Sequence, residues 1–159
     1  MSQPHFDTLD CRILQMLSQN ARKPFLEIAR ECGVSGAAIH QRIQKLQAQQ
    51  ILIGFESLIS PSAMGYDTCA YVGLILNDPS QFDSVSAQLQ TIPEIVELHY
   101  TTGKYDILVK LYAHNNQHLL QIIHDCIQSV AGVRTETLIS FKEEFRRQIP
   151  IGGINGSPA

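Results

Sequence analysis

Apolar positions recur at helical spacing over the first third of the chain and at strand spacing over most of the rest. Between Leu9 and Phe55 three short amphipathic helical patterns follow one another, the second and third joined by a tight turn. Ile39, Ile43 and Leu46 stand at i, i+4 and i+7 and make one buried face of the third. The turn, Gly33-Val34-Ser35, supplies a helix stop, an apolar plug and an N-cap. This is a helix-turn-helix layout, in which the helix after the turn is placed to enter a DNA major groove.

Past Phe55 the period changes. Glu56 to Gly65 reads as a connector that starts extended and breaks at Ser60-Pro61-Ser62. Cys69 to Leu76 reads as a strand, Asn77-Asp78-Pro79-Ser80 as a turn and helix start, and Phe82, Val85 and Leu89 as a helical stripe. Ile95 to Thr101 and Asp106 to Ala113 are two more strands around a Gly103-Lys104 turn. A helix is predicted over Asn116 to Val130, with Leu119, Leu120, Ile123, Cys126, Ile127 and Val130 on one side and Gly132 as its stop. Val133 to Phe145 is the last strand; Val133, Thr135, Thr137, Ile139 and Phe141 alternate with Arg134, Glu136, Leu138, Ser140 and Lys142. The order βαββαβ predicts a four-stranded antiparallel sheet with both helices on one face. The other face is mixed and stays open unless a second chain covers it, a natural dimerisation surface. The tail from Pro150 to Ala159 is rich in Gly and Pro and reads as flexible, or as an arm that orders against a neighbour.

The outward positions of the third helix carry the candidate chemistry. Ser35, Gly36, Ala37 and Ala38 are small and let the backbone approach base edges, with His40 near the edge of that face. Gln41 offers a donor and an acceptor, the pairing that suits adenine in the major groove. Arg42 and Lys45, three apart, share a face and can hold phosphates. Gln44 lies outward beside them.

Composition changes the picture in one respect. The 159-residue chain is 44% hydrophobic and 17% charged, the range of folded globular chains, with room for two small domains. Its net charge of −3 is uneven: residues 1–60 carry +1 and residues 61–159 carry −4. A nearly neutral reading half has only a small non-specific electrostatic term, so tight binding needs dimerisation and site-specific contacts. Met1 to Asp7 lacks the apolar core of a secretory signal. No apolar run approaches the ~20 residues that cross a bilayer, so no membrane partner is expected. Cys11, Cys32, Cys69 and Cys126 show no zinc spacing and read as buried or half-buried free thiols, in keeping with a cytoplasmic protein. His114 and His118 are four apart, but no carboxylate or cysteine stands at ligand spacing, so no metal is expected. No nucleophile elbow or phosphate loop is present, which argues against an enzyme. A base-stacking RNA sheet is the rival for the second half, but ELHYTT and YDILVKLY lack the basic-Gly-aromatic pattern of such modules.

Four segments together resemble the Lrp/AsnC (feast/famine) transcription regulators: LDCRILQML, the GVS turn with IHQRIQKLQ, the ILIGF exit, and HYTTGKYDILVK. The similarity covers about residues 6–148. It implies an α+β chain with an N-terminal three-helix winged helix-turn-helix and a C-terminal βαββαβ ferredoxin-like (RAM-type) sandwich. The division is then a DNA-binding domain at 1–53, a hinge or linker strand at 54–66, a ligand-sensing and oligomerisation domain at 67–148, and a tail at 149–159. The partners it implies are double-stranded DNA and further copies of the chain, as homodimers assembling to octamers, with a free amino acid as effector and no cofactor. The chain departs from the pattern at Gln47, where an acidic residue is usual, at Gln50, where glycine is usual, and at Lys104 within the sensor motif. The sensor motif has a physical logic. Gly103 after Thr101-Thr102 can turn the backbone and expose N–H groups to a carboxylate, and Asp106 can receive an ammonium group. Tyr100 and Tyr105 flank the turn. The resemblance implies that Thr137, Ile139 and Ser140 of the last strand complete the pocket between subunits. The plainer alternative is a β-turn in which Gly103 serves conformation and Asp106 caps the backbone.

Overall fold

A computed structural model describes residues 7–130 and 133–152. Within them, 7–58 with 146–152 form one compact unit and 59–145 another.

The first unit holds three helices, α1 (Thr8–Gln19), α2 (Phe25–Cys32) and α3 (Gly36–Ala48). Helix α1 opens with a reciprocal capping box: Asp10 N–H donates to the Asp7 carboxylate and Asp7 N–H to the Asp10 carboxylate. Gly33 ends α2 with φ +69°, and Ser35 caps α3 by accepting from Ala38 N–H. The apolar stripes meet in a core of Ile13, Leu17, Ile28, Ala29, Ile39 and Ile43, with Val34 of the turn packed on it. After α3, Ile51 and Leu52 N–H both donate to Leu46 carbonyl, and the chain continues without a strand to residue 60. The wing implied by the resemblance therefore has no strand among the described residues; 53–60 has no ladder partner, and Ile53, Leu58 and Ile59 are exposed. The start of the tail lies on α1, where Gln15 Nε2 donates to Ile151 carbonyl at 2.9 Å and Cys11 Sγ to Gly152 carbonyl at 3.8 Å.

The second unit is βαββαβ: β1 (Thr68–Leu76), α4 (Phe82–Leu89), β2 (Ile95–Tyr100), β3 (Ile107–Ala113), α5 (Asn116–Gln121) and β4 (Val133–Ser140). The strands lie in the order β2-β3-β1-β4, all antiparallel. Ala70, Val72, Leu74 and Leu76 of β1 and Ile107, Val109, Leu111 and Ala113 of β3 bury one sheet face under the helices. Val133, Thr135, Thr137 and Ile139 continue that face on β4, opposite Leu76, Leu74, Val72 and Ala70. Strand β4 stops at Ser140, short of Phe145, because Ser140 pairs with Cys69 and β1 supplies one further residue beyond it.

The helix read over Asn116 to Val130 changes pitch. Asn115 caps α5 through His118 N–H, and from Ile122 to Ile127 the chain takes a π-helical path in which Gln128 N–H donates to Ile123 carbonyl. Leu119, Ile122, Ile127 and Val130 lie in the core, Cys126 within the wider turn faces solvent, and Leu120 before it is exposed. Straight α-helical spacing cannot show that. Gly132, read as the stop of this helix, and tail residues 153–159 lie outside the described residues.

Gln50 follows α3 with φ +55°, the one non-glycine residue with positive φ among the described residues. A β-carbon in this region is strained by roughly 1–2 kcal/mol. We expect Gln50→Gly to recover part of it, about 0.5–1 kcal/mol after the entropy cost of glycine, and to raise the melting temperature by a few degrees in a calorimetric scan. An unchanged or lowered midpoint refutes the strain.

Candidate nucleic-acid interface and sensor turn

Helix α3 buries Ile39, Ile43 and Leu46 and exposes Ser35, Ala37, His40, Gln41, Gln44 and Lys45. Gly36 and Ala38 are half-buried; a β-carbon on Gly36 would stand 3.0 Å from Leu26 Cδ2. His40 Nε2 and Gln44 Nε2 lie 3.2 Å apart, so the two side chains present one joined polar group beside Gln41. Gln44 belongs to the outward row; its spacing of four from His40 and three from Gln41 is the signal that it belongs with them.

Arg42 stands apart from this row. Its guanidinium reaches back to α1, donating through Nη1 to Asp7 Oδ2 and, at 3.0 Å, to Asp10 Oδ1. Lys45 Nζ adds a contact of 3.7 Å to Asp10 Oδ2. The Asp10 side chain is fully buried, while Arg42 keeps about a third of its side chain exposed and Asp7 nearly half. The two residues read as phosphate ligands thus neutralise a carboxylate at the start of α1. Removing Arg42 leaves Asp10 with Lys45 alone, a cost on the order of a few kcal/mol, below that of a fully buried pair because water still reaches the guanidinium. The hydrogen bond from Arg42 holds the Asp7 carboxyl below its ordinary value, and the two carboxylates raise Arg42.

In the sensor half the β2–β3 turn is built by its own backbone. Gly103 has φ +109°, which only glycine takes without strain. Thr101 N–H donates to Asp106 carbonyl, and Thr101 Oγ1 donates to Tyr105 carbonyl at 2.7 Å. Asp106 N–H donates to Leu74 carbonyl, and Asp106 Oδ2 accepts from Leu76 N–H at 2.8 Å. Asp106 therefore caps the end of the central strand. Tyr100 is exposed and packs on Phe82, ring centres 4.5 Å apart, and Thr102 is exposed.

Tyr105 folds onto the open sheet face above Gly73, where an added β-carbon would fall 2.4 Å from its ring. Its hydroxyl donates to Glu136 Oε2 at 2.9 Å, and Lys104 Nζ donates to the same oxygen at 2.6 Å. Lys104 draws the Glu136 carboxyl down, and Glu136 raises Lys104 in return. Lys104 is thus already paired within the chain. Glu136 is a residue the motif does not contain; its place opposite Gly73 on β4 brings it there.

Within one chain, the register carries Thr137, Ile139 and Ser140 progressively away from the turn. They pair with Val72, Ala70 and Cys69, whereas Asp106 sits at Leu74 and Leu76, so Ser140 is roughly 16–23 Å further along the sheet. Ser140 instead lines a cleft of about 390 Å³ with Tyr66, Cys69, Tyr71, Tyr112 and Glu143. Beside it Lys110, nearly buried, lies 3.3 Å from Glu143 and 3.7 Å from Glu97, over the rings of Tyr71 and Tyr112. Burial works against its charge, but these partners outweigh it and raise Lys110. His114 stacks between Tyr66 and His118, and its Nδ1 lies 2.7 Å from Gly65 carbonyl. Among the described residues no three His, Cys, Asp or Glu side chains are grouped to hold a metal ion. No helix among them is long and apolar enough to cross a membrane.

Residues 6–47 match the AsnC-type helix-turn-helix domain and residues 69–150 the Lrp/AsnC ligand binding domain. The chain belongs to the Lrp/AsnC family. It is 36% identical over 146 residues to the regulatory protein AsnC of Haemophilus influenzae, covering 91% of this chain and 97% of that one. The solved structure of AsnC from E. coli superposes with a TM-score of 0.86 at 34% identity, covering 91% of this chain and 98% of that one. A feast or famine regulatory protein from M. tuberculosis, complexed with L-methionine, shares the fold with a TM-score of 0.87 at 24% identity, covering 93% of this chain and 100% of that one. Like its Lrp/AsnC relatives, this protein is a helix-turn-helix transcriptional regulator.

The Asp7–Arg42 pair sets a pH dependence. A carboxyl whose folded value is lowered contributes stability that is present above its ordinary 3.8 and is lost as pH falls through the folded value. Asp7→Asn keeps a capping side chain but has no charge to lose. Urea melts from pH 5 downward should show wild type more stable than Asp7→Asn, the gap closing below pH 3.8. A gap independent of pH refutes the ion pair.

Proposed function

We propose that a homodimer reads duplex DNA with the exposed row of α3, and that a free amino acid binding at the β2–β3 turn tunes that reading. The observation that carries the first part is the division of α3 into a buried apolar row and an exposed polar row, His40, Gln41 and Gln44, behind the small residues Ser35 and Ala37. Gln41 serves base readout, Lys45 reaches phosphate at the edge of the same face, and no catalytic role is assigned to the chain. Two heads on one dimer supply the affinity that a nearly neutral reading half lacks. The dimer forms through the open sheet face, where Leu138 is exposed beside Tyr71, and higher assembly to octamers follows the family pattern.

The effector reading rests on Gly103, whose positive φ opens the turn. It is supported by the L-methionine bound to the M. tuberculosis protein of the same fold. Thr101, Thr102, Tyr100 and Tyr105 line the turn, and Thr137, Ile139 and Ser140 of another subunit complete the site. Asp106 acts in two ways: Oδ2 holds Leu76 N–H, and the carboxylate as a whole supplies the charge that meets the ligand ammonium.

Selection from a randomised duplex pool tests the readout. Gln41→Ala should relax preference at one base position per half-site, by about 1–3 kcal/mol of discrimination, with overall binding retained. An unchanged preference removes Gln41 from the interface. Calorimetry with each free amino acid tests the sensor. Asp106→Ala should abolish amino-acid binding and, through the lost strand cap, lower stability by about 1–2 kcal/mol. Absence of binding to wild type by every amino acid overturns the effector class.

A further inference from the structure

Arg42 lies on α3, yet its Nη1 is bound to two carboxylates of the α1 start. From this geometry we infer that Arg42 is a positioning residue, clasping the reading helix to the capping box of α1, and that it makes no phosphate contact. The inference rests on the reading of α3 as the DNA-facing helix.

Three observations carry it. Nη1 bridges two carboxylates, Asp7 and Asp10, at once. Asp10 is fully buried, so its charge has no water to fall back on and depends on the cations of α3. Both carboxylates also receive backbone N–H groups of the first turn of α1, which fixes their place before Arg42 arrives. The anchor is therefore rigid, and the guanidinium that meets it sets the roll of α3 about its axis. Ala38 and Gln41 precede Arg42 by four and one residues, so a change of roll moves the base-reading row. Nη1 is committed to the two carboxylates, and drawing it onto a DNA phosphate would mean leaving a buried carboxylate behind.

The two roles give opposite signs when the anchor is weakened and Arg42 is kept. If Arg42 were a phosphate ligand held in reserve, Asp7→Asn would release it and remove a negative charge from the neighbourhood, and DNA binding would tighten. If Arg42 positions the helix, Asp7→Asn loosens the clasp and binding weakens. Asn still caps α1 at this position, so the variant keeps its helix start.

The experiment measures fluorescence anisotropy of full-length wild type, Asp7→Asn, Arg42→Ala and Arg42→Lys on one duplex, selected by the wild type from a randomised pool, across a salt series. We expect Asp7→Asn to weaken binding several-fold and Arg42→Ala at least tenfold. The slope of log affinity against log salt should stay at the wild-type value, and Arg42→Lys should recover part of the loss. A repeated selection with Asp7→Asn should return an altered base preference, which a loss of stability alone does not produce. Tightening by Asp7→Asn, or a slope reduced by about one in Arg42→Ala, the signature of one lost phosphate contact, overturns the clasp while the DNA reading stands. If Arg42→Ala does not fold, the sign of the Asp7→Asn effect decides alone. A wild type that enriches no duplex overturns the DNA reading itself, and the clasp's role with it.

Discussion

A carboxylate buried away from water is costly unless it is paired, and the Asp10 side chain is fully buried. Its cationic partners come from α3, so the start of α1 and α3 are held by one ion-paired group. Around it the three helices need only ordinary apolar packing through Ile13, Ile28 and Ile39. The apolar core resists separation of the helices by close packing. The directional pair of hydrogen bonds from one guanidinium adds an orientation-dependent contact to it.

The sensor half depends on a comparable economy. Strand β1 is hydrogen-bonded along both edges, buried on one face, and approached on the other by Tyr105 through the gap that Gly73 leaves. The turn after β2 is tied to the end of this strand twice, through Asp106 N–H and the Asp106 carboxylate. A ligand that draws on Asp106 therefore acts on the strand at the centre of the sheet, and Glu136 of the edge strand is linked to the same turn through Tyr105 and Lys104. The rim of the sheet and its interior are thus joined by direct hydrogen bonds.

Much of the positive charge in this small acidic chain is engaged within it. Arg42 meets Asp7 and Asp10, Lys104 meets Glu136, and Lys110 meets Glu143 and Glu97. What α3 exposes is a short polar row with little excess charge. Such a surface favours base contacts and avidity over general attraction to polyanions.

The sequence by itself determined the helices, the strands, their order and the turn of the reading head. These follow from local rules: the spacing of Ile39, Ile43 and Leu46, the Gly33–Ser35 turn, the alternation along β4. The outward placement of Gln41 and Gln44 was legible for the same reason, with His40 read at the edge of that face. Pairings between distant residues were not. Spacing on α3 shows that Arg42 and Lys45 share a side; only packing against α1 shows that a buried carboxylate waits there. A TTGKYD motif shows a turn, while the capture of Asp106 by Leu76 N–H and of Lys104 by Glu136 depends on strand register. The π-helical turn after α5 belongs to the same class, because one extra residue in a turn is decided by which side chains fill the core, and it moved Cys126 from the expected apolar side to solvent. Local periodicity is a property of neighbours in sequence; charge compensation and register are properties of neighbours in space, and only the tertiary structure brings those together.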